Sequence, residues 1–107
     1  MKLPSEIFGE VIVVHTPEEL GADQAEEFQD HLTTLERNHV VLDLDNTEIL
    51  DSAGLTALLD GQDVLRQNGG AMKISASNHA NRKILEITRL DRELEVFDSV
   101  IEAVKSF

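Results

Sequence analysis

With 107 residues, 41% of them hydrophobic, and no cysteine, the chain is sized for one domain over 1–107 that builds its own core without disulfides or thiolate metal sites. Its net charge of −12 is uneven: residues 1–65 hold fifteen acids against two bases, and residues 66–107 hold six against seven. Clustered cations for nucleic acid, a bilayer-length apolar run and a signal-peptide apolar region are all missing, so a cytoplasmic chain without direct membrane insertion is expected, its acidic half suited to a basic protein surface.

A short first strand is expected around Leu3 to Phe8, with Gly9-Glu10 as a turn. Val11 to Val14 is an unbroken apolar run, as in a strand covered on both faces. Thr16-Pro17-Glu18-Glu19 has the letters of a helix start, but Gly21 follows at once, so Thr16 to Leu20 is read as a turn. Ala25, Phe28, Leu32 and Leu35 share one helical face, which places the first helix at about 23–37, ended by Asn38-His39. Val40 to Leu44 is the next strand. A second helix runs to about Gln67 with Leu55, Leu58, Leu59 and Leu65 inward and Thr56, Asp60 and Asp63 outward. Asn68-Gly69-Gly70 stops it. Ala71 to Ser75 alternates as a strand. Ser77-Asn78 caps a third helix with Ile84, Ile87 and Leu90 toward the core. Leu94 to Phe97 is a last strand, and Asp98-Ser99 with Glu102 caps a last helix that carries Ile101 and Val104 on one side. Strands alternate with helices, so the fold class is α/β, with a mixed, mainly parallel sheet of four to five strands and about four helices.

Between the second main strand and the second helix stand Asp51-Ser52-Ala53-Gly54-Leu55. A serine at a helix N-terminus faces unpaired N–H groups and partial positive charge, which welcome a phosphate. Residues of this type also serve simply as N-caps, and local chemistry alone leaves Asp51 or Ser52 in that role.

Three stretches resemble the STAS domain (sulfate transporter and anti-sigma factor antagonist). They are Val41-Leu42-Asp43-Leu44 with Leu50-Asp51-Ser52-Ala53-Gly54-Leu55, then Ile84-Leu85-Glu86-Ile87-Thr88-Arg89-Leu90-Asp91, then Glu95-Val96-Phe97-Asp98-Ser99. They occur in order over nearly the whole chain, whose length is similar to that of the stand-alone anti-sigma factor antagonists. The resemblance implies a single STAS-like domain that is a binding module, with no catalytic residues, metal or cofactor of its own. It implies Ser52 as phosphoacceptor for a serine kinase that is also the anti-sigma factor, and a PP2C-type phosphatase that reverses the mark. ATP and Mg²⁺ would belong to the kinase. The partner surface implied is Asp23, Asp51, Ser52, Ala53, Gly54, Thr56, Asp60 and Asp63, with Gly54 admitting a partner's backbone. A phosphoserine adds about −1.5 to −2 charge. Asp51 and its acidic surroundings would repel it, and losing ~3 kcal/mol of binding weakens a complex more than a hundredfold. The same resemblance leaves two further roles open, a cytoplasmic subunit of an ABC-type transport complex and a stressosome-like scaffold, and it allows a weak homodimer. The sequence departs from the family pattern twice. Glu18-Glu19-Leu20-Gly21 has glycine where an acid is usual, with Asp23 two residues on as its substitute, and Thr88-Arg89-Leu90 stands for Thr-Gly-Leu.

Other chemistries fit the residues poorly. Leu50 stands where the G-x-S-x-G elbow of a serine hydrolase needs its first glycine. His15, His31, His39 and His79 show no metal-binding spacing, with His31 expected on the wet side of the first helix and His39 near a helix end. Gly69-Gly70 lacks the rest of a P-loop. Asp43, Asp45 and Asp51 could gather near one sheet edge as in a receiver's Mg²⁺ site, but the ligand count is low and Lys73 is poorly placed by strand position for the lysine a receiver needs. Asp43 is read as a residue that orients the serine loop by hydrogen bonds.

Overall fold

A computed structural model describes residues 2–107. Strands β1 (Ser5–Phe8) and β2 (Val11–His15) form a hairpin closed by Gly9 at positive φ. A two-residue strand β3 (Glu19–Leu20) leads into α1 (Ala22–Thr33), then β4 (His39–Asp43), a second two-residue strand β5 (Ile49–Leu50) and α2 (Ser52–Gln67). The chain continues through β6 (Ala71–Ser75), α3 (His79–Ile87), a 3₁₀ turn at Leu90–Arg92, β7 (Glu95–Phe97) and α4 (Val100–Lys105). The main sheet has the order β1-β2-β4-β6-β7, antiparallel only at β1, and β3 pairs with β5 in parallel beside it. The mixed, mainly parallel sheet with four helices agrees with the sequence reading.

Strand residues alternate between two cores. Ile12, Val14, Val40, Leu42, Met72 and Ile74 join Phe28 and Leu32 of α1, Leu58 and Leu65 of α2 and Leu85 of α3 in the larger one. Val11, Val13 and Val41 turn the other way, toward Ala103 of α4 with Phe97, Val100 and Val104 around it. One face thus carries three helices, and the other rests on a single helix of six residues. This accounts for the continuous apolar runs of β2 and β4, since parallel strands buried on both faces have no polar side.

Several boundaries and faces differ from the sequence reading. Helix α1 stops at Thr33, not 37, because the hydroxyls of Thr33 and Thr34 donate to the carbonyls of Asp30 and His31 and the chain must then cross to β4. His39, read as a helix end, opens β4 with its ring stacked on Phe107 at 5.1 Å. His31 is half-buried, not on the wet side. Thr16 to Leu20 is not merely a turn: Leu20 is fully buried, and Glu19–Leu20 pairs with Ile49–Leu50. On α3 the core face is Asn81 and Leu85, with Ile84 half-buried, while Ile87 points to solvent at 71% exposure. On α4 Ile101 and Val104 do share one side, that of a groove with Phe8, and the buried residue is Ala103. Arg89 occupies a left-handed conformation with φ 62°, the backbone for which glycine is usual in a Thr-Gly-Leu turn.

Candidate functional site

Ser52 is the first residue of α2, and the strand pair β3–β5 holds it in place. The Glu18 carbonyl accepts from the N–H groups of Glu48 (2.8 Å) and Ile49 (3.1 Å), fastening the serine loop to the segment before α1. Asp51 is the N-cap. Its backbone is extended, its Oδ1 accepts the Gly54 N–H at 3.0 Å and its carbonyl accepts from Leu55 N–H. Of the two cap candidates in the sequence, Asp51 therefore takes the role. Ser52 is exposed, and its hydroxyl has no hydrogen-bond partner among the described residues. The N–H groups of Ser52 and Ala53 likewise find no acceptor among the described residues, leaving donors and a helix-dipole end beside that hydroxyl.

Two glycines set this geometry. A Cβ on Gly21 would lie 2.7 Å from Asp51 Oδ2, so the missing side chain at 21 is the space the capping carboxylate uses. A Cβ on Gly54 would lie 2.0 Å from the Leu20 carbonyl oxygen. Gly54 is buried, and the backbone it admits is the chain's own, at Leu20, which corrects its reading as a contact for a partner's backbone.

The remaining expected residues spread along the surface that follows. A groove between α1 and α2 is lined by Ala53, Thr56, Ala57 and Asp60 from one helix and Ala25, Glu26 and Gln29 from the other. Its floor is small and apolar and its rim is acidic. Thr56 is exposed, with its hydroxyl turned back onto the Ser52 carbonyl at 3.0 Å. Asp23 is exposed in the first turn of α1, the turn that Gly21 opens. Asp63 is exposed a turn further along α2 and does not line the groove. Sequence reasoning did not find Ala25, Glu26, Gln29 or Ala57. The signal was present as Ala53, Ala57 and Gly61 at four-residue intervals, a flat track on α2 that lets α1 approach. Gln29 Nε2 donates to the Ala57 carbonyl at 2.6 Å across that approach.

Polar side chains outside the motif hold the loop before Ser52. Asp45 accepts from Ser77 N–H (2.8 Å), Ser77 Oγ (2.7 Å) and Asn78 N–H (3.1 Å), tying the loop after β4 to the loop after β6. Burial pushes its carboxyl up, but those bonds more than offset this and hold it below the ordinary range. Buried Asn81 donates through Nδ2 to the carbonyls of Leu44 and Thr47, each at 2.9 Å. Asp43 contributes less directly: its Oδ1 accepts Asp45 N–H, and its Oδ2 faces His15 Nδ1 at 2.8 Å.

The His15 ring is held at both nitrogens, since Nε2 lies 2.8 Å from Glu6 Oε1. Carboxylates only accept, so only the imidazolium satisfies both contacts. The Glu6 hydrogen bond raises the His15 pKa, burial lowers it, and Asp43 raises it again, for a net upward shift. The stability this clasp adds is fully present below the unfolded value of about 6.5 and is lost as pH rises through the higher folded value. Urea unfolding at rising pH is therefore expected to show the wild type losing its advantage over His15→Gln above neutrality. Parallel pH profiles would contradict it.

Comparison with known proteins fits this geometry. The STAS domain family model matches residues 2–103. A Thermotoga maritima protein provisionally assigned as an anti-sigma factor antagonist is 24% identical over 106 residues, covering 95% of this chain and 94% of its own. The crystal structure of an anti-sigma factor antagonist from Mycobacterium paratuberculosis superposes with a TM-score of 0.84 at 22% identity, over 98% of this chain and 92% of that one. The Bacillus cell fate determinant SpoIIAA, solved in its phosphorylated form, gives a TM-score of 0.69 at 16% identity, over 98% of each chain.

Proposed function

The chain belongs to the STAS domain family, and from that premise we propose that it is an anti-sigma factor antagonist whose hold on its partner is set by phosphate on Ser52. The observation that carries this reading is the separation of duties at the start of α2. Asp51 caps the helix, and the exposed Ser52 hydroxyl beside it has no hydrogen-bond partner among the described residues. The partner is an anti-sigma factor that is also a serine kinase, and a PP2C-type phosphatase returns the protein to its binding form. The contact surface is Asp23, Asp51, Ser52, Ala53, Thr56, Asp60 and Asp63, with the acidic groove between α1 and α2 receiving a basic face. Phosphate on Ser52 adds charge to a surface that is already negative, so it acts on association.

The test is calorimetric titration of the anti-sigma kinase with wild type, Ser52→Ala and Ser52→Asp, together with the intact mass of the protein recovered from its own cells. Ser52→Ala is expected to bind as wild type does. Ser52→Asp is expected to bind more than about a hundredfold more weakly, equivalent to ~3 kcal/mol. One phosphate, mapped to Ser52, is expected in the native protein. Equal binding by the two variants would overturn this reading of Ser52.

A further inference from the structure

Strand β1 leaves both its hydrogen-bonding groups and its side chains open. All four of its residues are exposed, and it pairs with β2 alone. The Pro4 carbonyl accepts from His15 N–H at 2.9 Å. Because hydrogen-bonded and non-bonded pairs alternate in an antiparallel ladder, Glu6 and Phe8 also turn their groups toward β2, while Ser5 and Ile7 turn theirs outward. The side chains around this edge are apolar on both faces of the sheet. Ile7, opposite Ile12, lies on the side of the larger core and is 49% exposed. Phe8, opposite Val11, lies on the α4 side and lines a groove with Val100, Ile101 and Val104.

The charges at this edge differ from those of the surrounding surface. The first 65 residues contain only two bases, Lys2 and Arg37. Both belong here: Lys2 is exposed just before β1, and Arg37 Nε donates to the Gly9 carbonyl in the β1–β2 turn. Lys105 borders the Phe8 groove and has no carboxylate partner among the described residues. Together they balance Glu10, while Glu6 is already paired with His15. On a chain of net charge −12, this is an edge where two copies meet without strong repulsion.

We propose that β1 is a self-association edge, on which a second copy adds its own β1 antiparallel about a two-fold axis through Ile7. That register joins the outward groups of Ile7 to those of its symmetry mate. It keeps each face of the sheet continuous across the seam, because opposed residues share a face. It places Glu6 of each copy opposite Phe8 of the other, with the Glu6 carboxylate still held by its own His15. A seam this short lies below standard interface size, so the dimer is weak and exchanges rapidly. None of this depends on the role of Ser52.

Sedimentation over two decades of concentration is expected to show the wild-type mass rising toward that of a dimer. Ile7→Lys and Ile101→Lys, both at exposed positions, are expected to stay monomeric with unchanged circular dichroism and melting temperature. The chain has no cysteine, so Ile7→Cys places two thiols across the axis. Their Cα atoms would lie about 5.5 Å apart, within disulfide reach. Ile7→Cys should oxidise to a covalent dimer at least tenfold faster than Ile87→Cys on α3. A wild type that stays monomeric throughout, association that Ile7→Lys leaves intact, or equal oxidation rates would overturn the proposal. So would a monomer whose edge captures only the strand of a different protein.

Discussion

Gly54→Ala is expected to lose about 3 kcal/mol of stability or more, at the upper end of overpacking penalties. In an ordinary helical position the same change gains about 1 kcal/mol, because glycine is the poorer helix former. Here the added methyl would sit 2.0 Å from the Leu20 carbonyl oxygen, 2.9 Å from its carbon and 3.1 Å from Leu50 Cδ1. The carbonyl is backbone, held in the β3–β5 pair, and cannot rotate aside. Helix α2 must withdraw from β3 or the pair must part, and Asp51 loses its place against Gly21 in either case. Gly61→Ala is the comparison, since its methyl would meet Leu32 Cδ1, the end of a flexible side chain, at 2.6 Å. Urea unfolding should rank Gly54→Ala well below Gly61→Ala, and a Gly54→Ala protein as stable as wild type would show that the helix and β3 do not need this approach.

Asn81→Ala is expected to cost about 1–3 kcal/mol, because it leaves the buried Thr47 carbonyl without a donor and takes one of two donors from the Leu44 carbonyl, which keeps Thr47 N–H. Asn81 is 2% exposed, so water does not readily take its place. The loss should fall on the loop between β4 and β5 before the rest of the sheet. Amide exchange there is expected to accelerate beyond what the global stability change explains, and affinity for the proposed anti-sigma partner to fall with it. A variant with wild-type stability and unchanged loop exchange would remove Asn81 from this role.

The sequence was most informative where period and punctuation coincide. Apolar runs, glycine turns and polar caps were enough to order the main strands and helices, since each of those signals is local. Strands β3 and β5 were not legible because two residues carry no period, and their pairing joins positions thirty apart in the chain. The Asp-Ser-Ala-Gly-Leu element marked the site, but not which residue caps the helix, which depends on where the Asp51 carboxylate finds room beside Gly21. Asp45 and Asn81 were unremarkable in the sequence, because their partners lie more than thirty residues away and a short polar side chain reads first as surface. Ile87 misled for the opposite reason: helical spacing gave it apolar company, but the core ends short of it at Leu85.

The cap at Asp51 has a consequence for how much information position 52 can hold. A residue that ends a helix and also takes a covalent mark would change the folded population each time it was written. Here the cap sits on Asp51 and the proposed mark on its neighbour, so writing the mark leaves the capping hydrogen bond to Gly54 in place. If Ser52 carries the proposed mark, a cell could write it on every copy of the protein, or on none, without taking away the hydrogen bond that starts the helix.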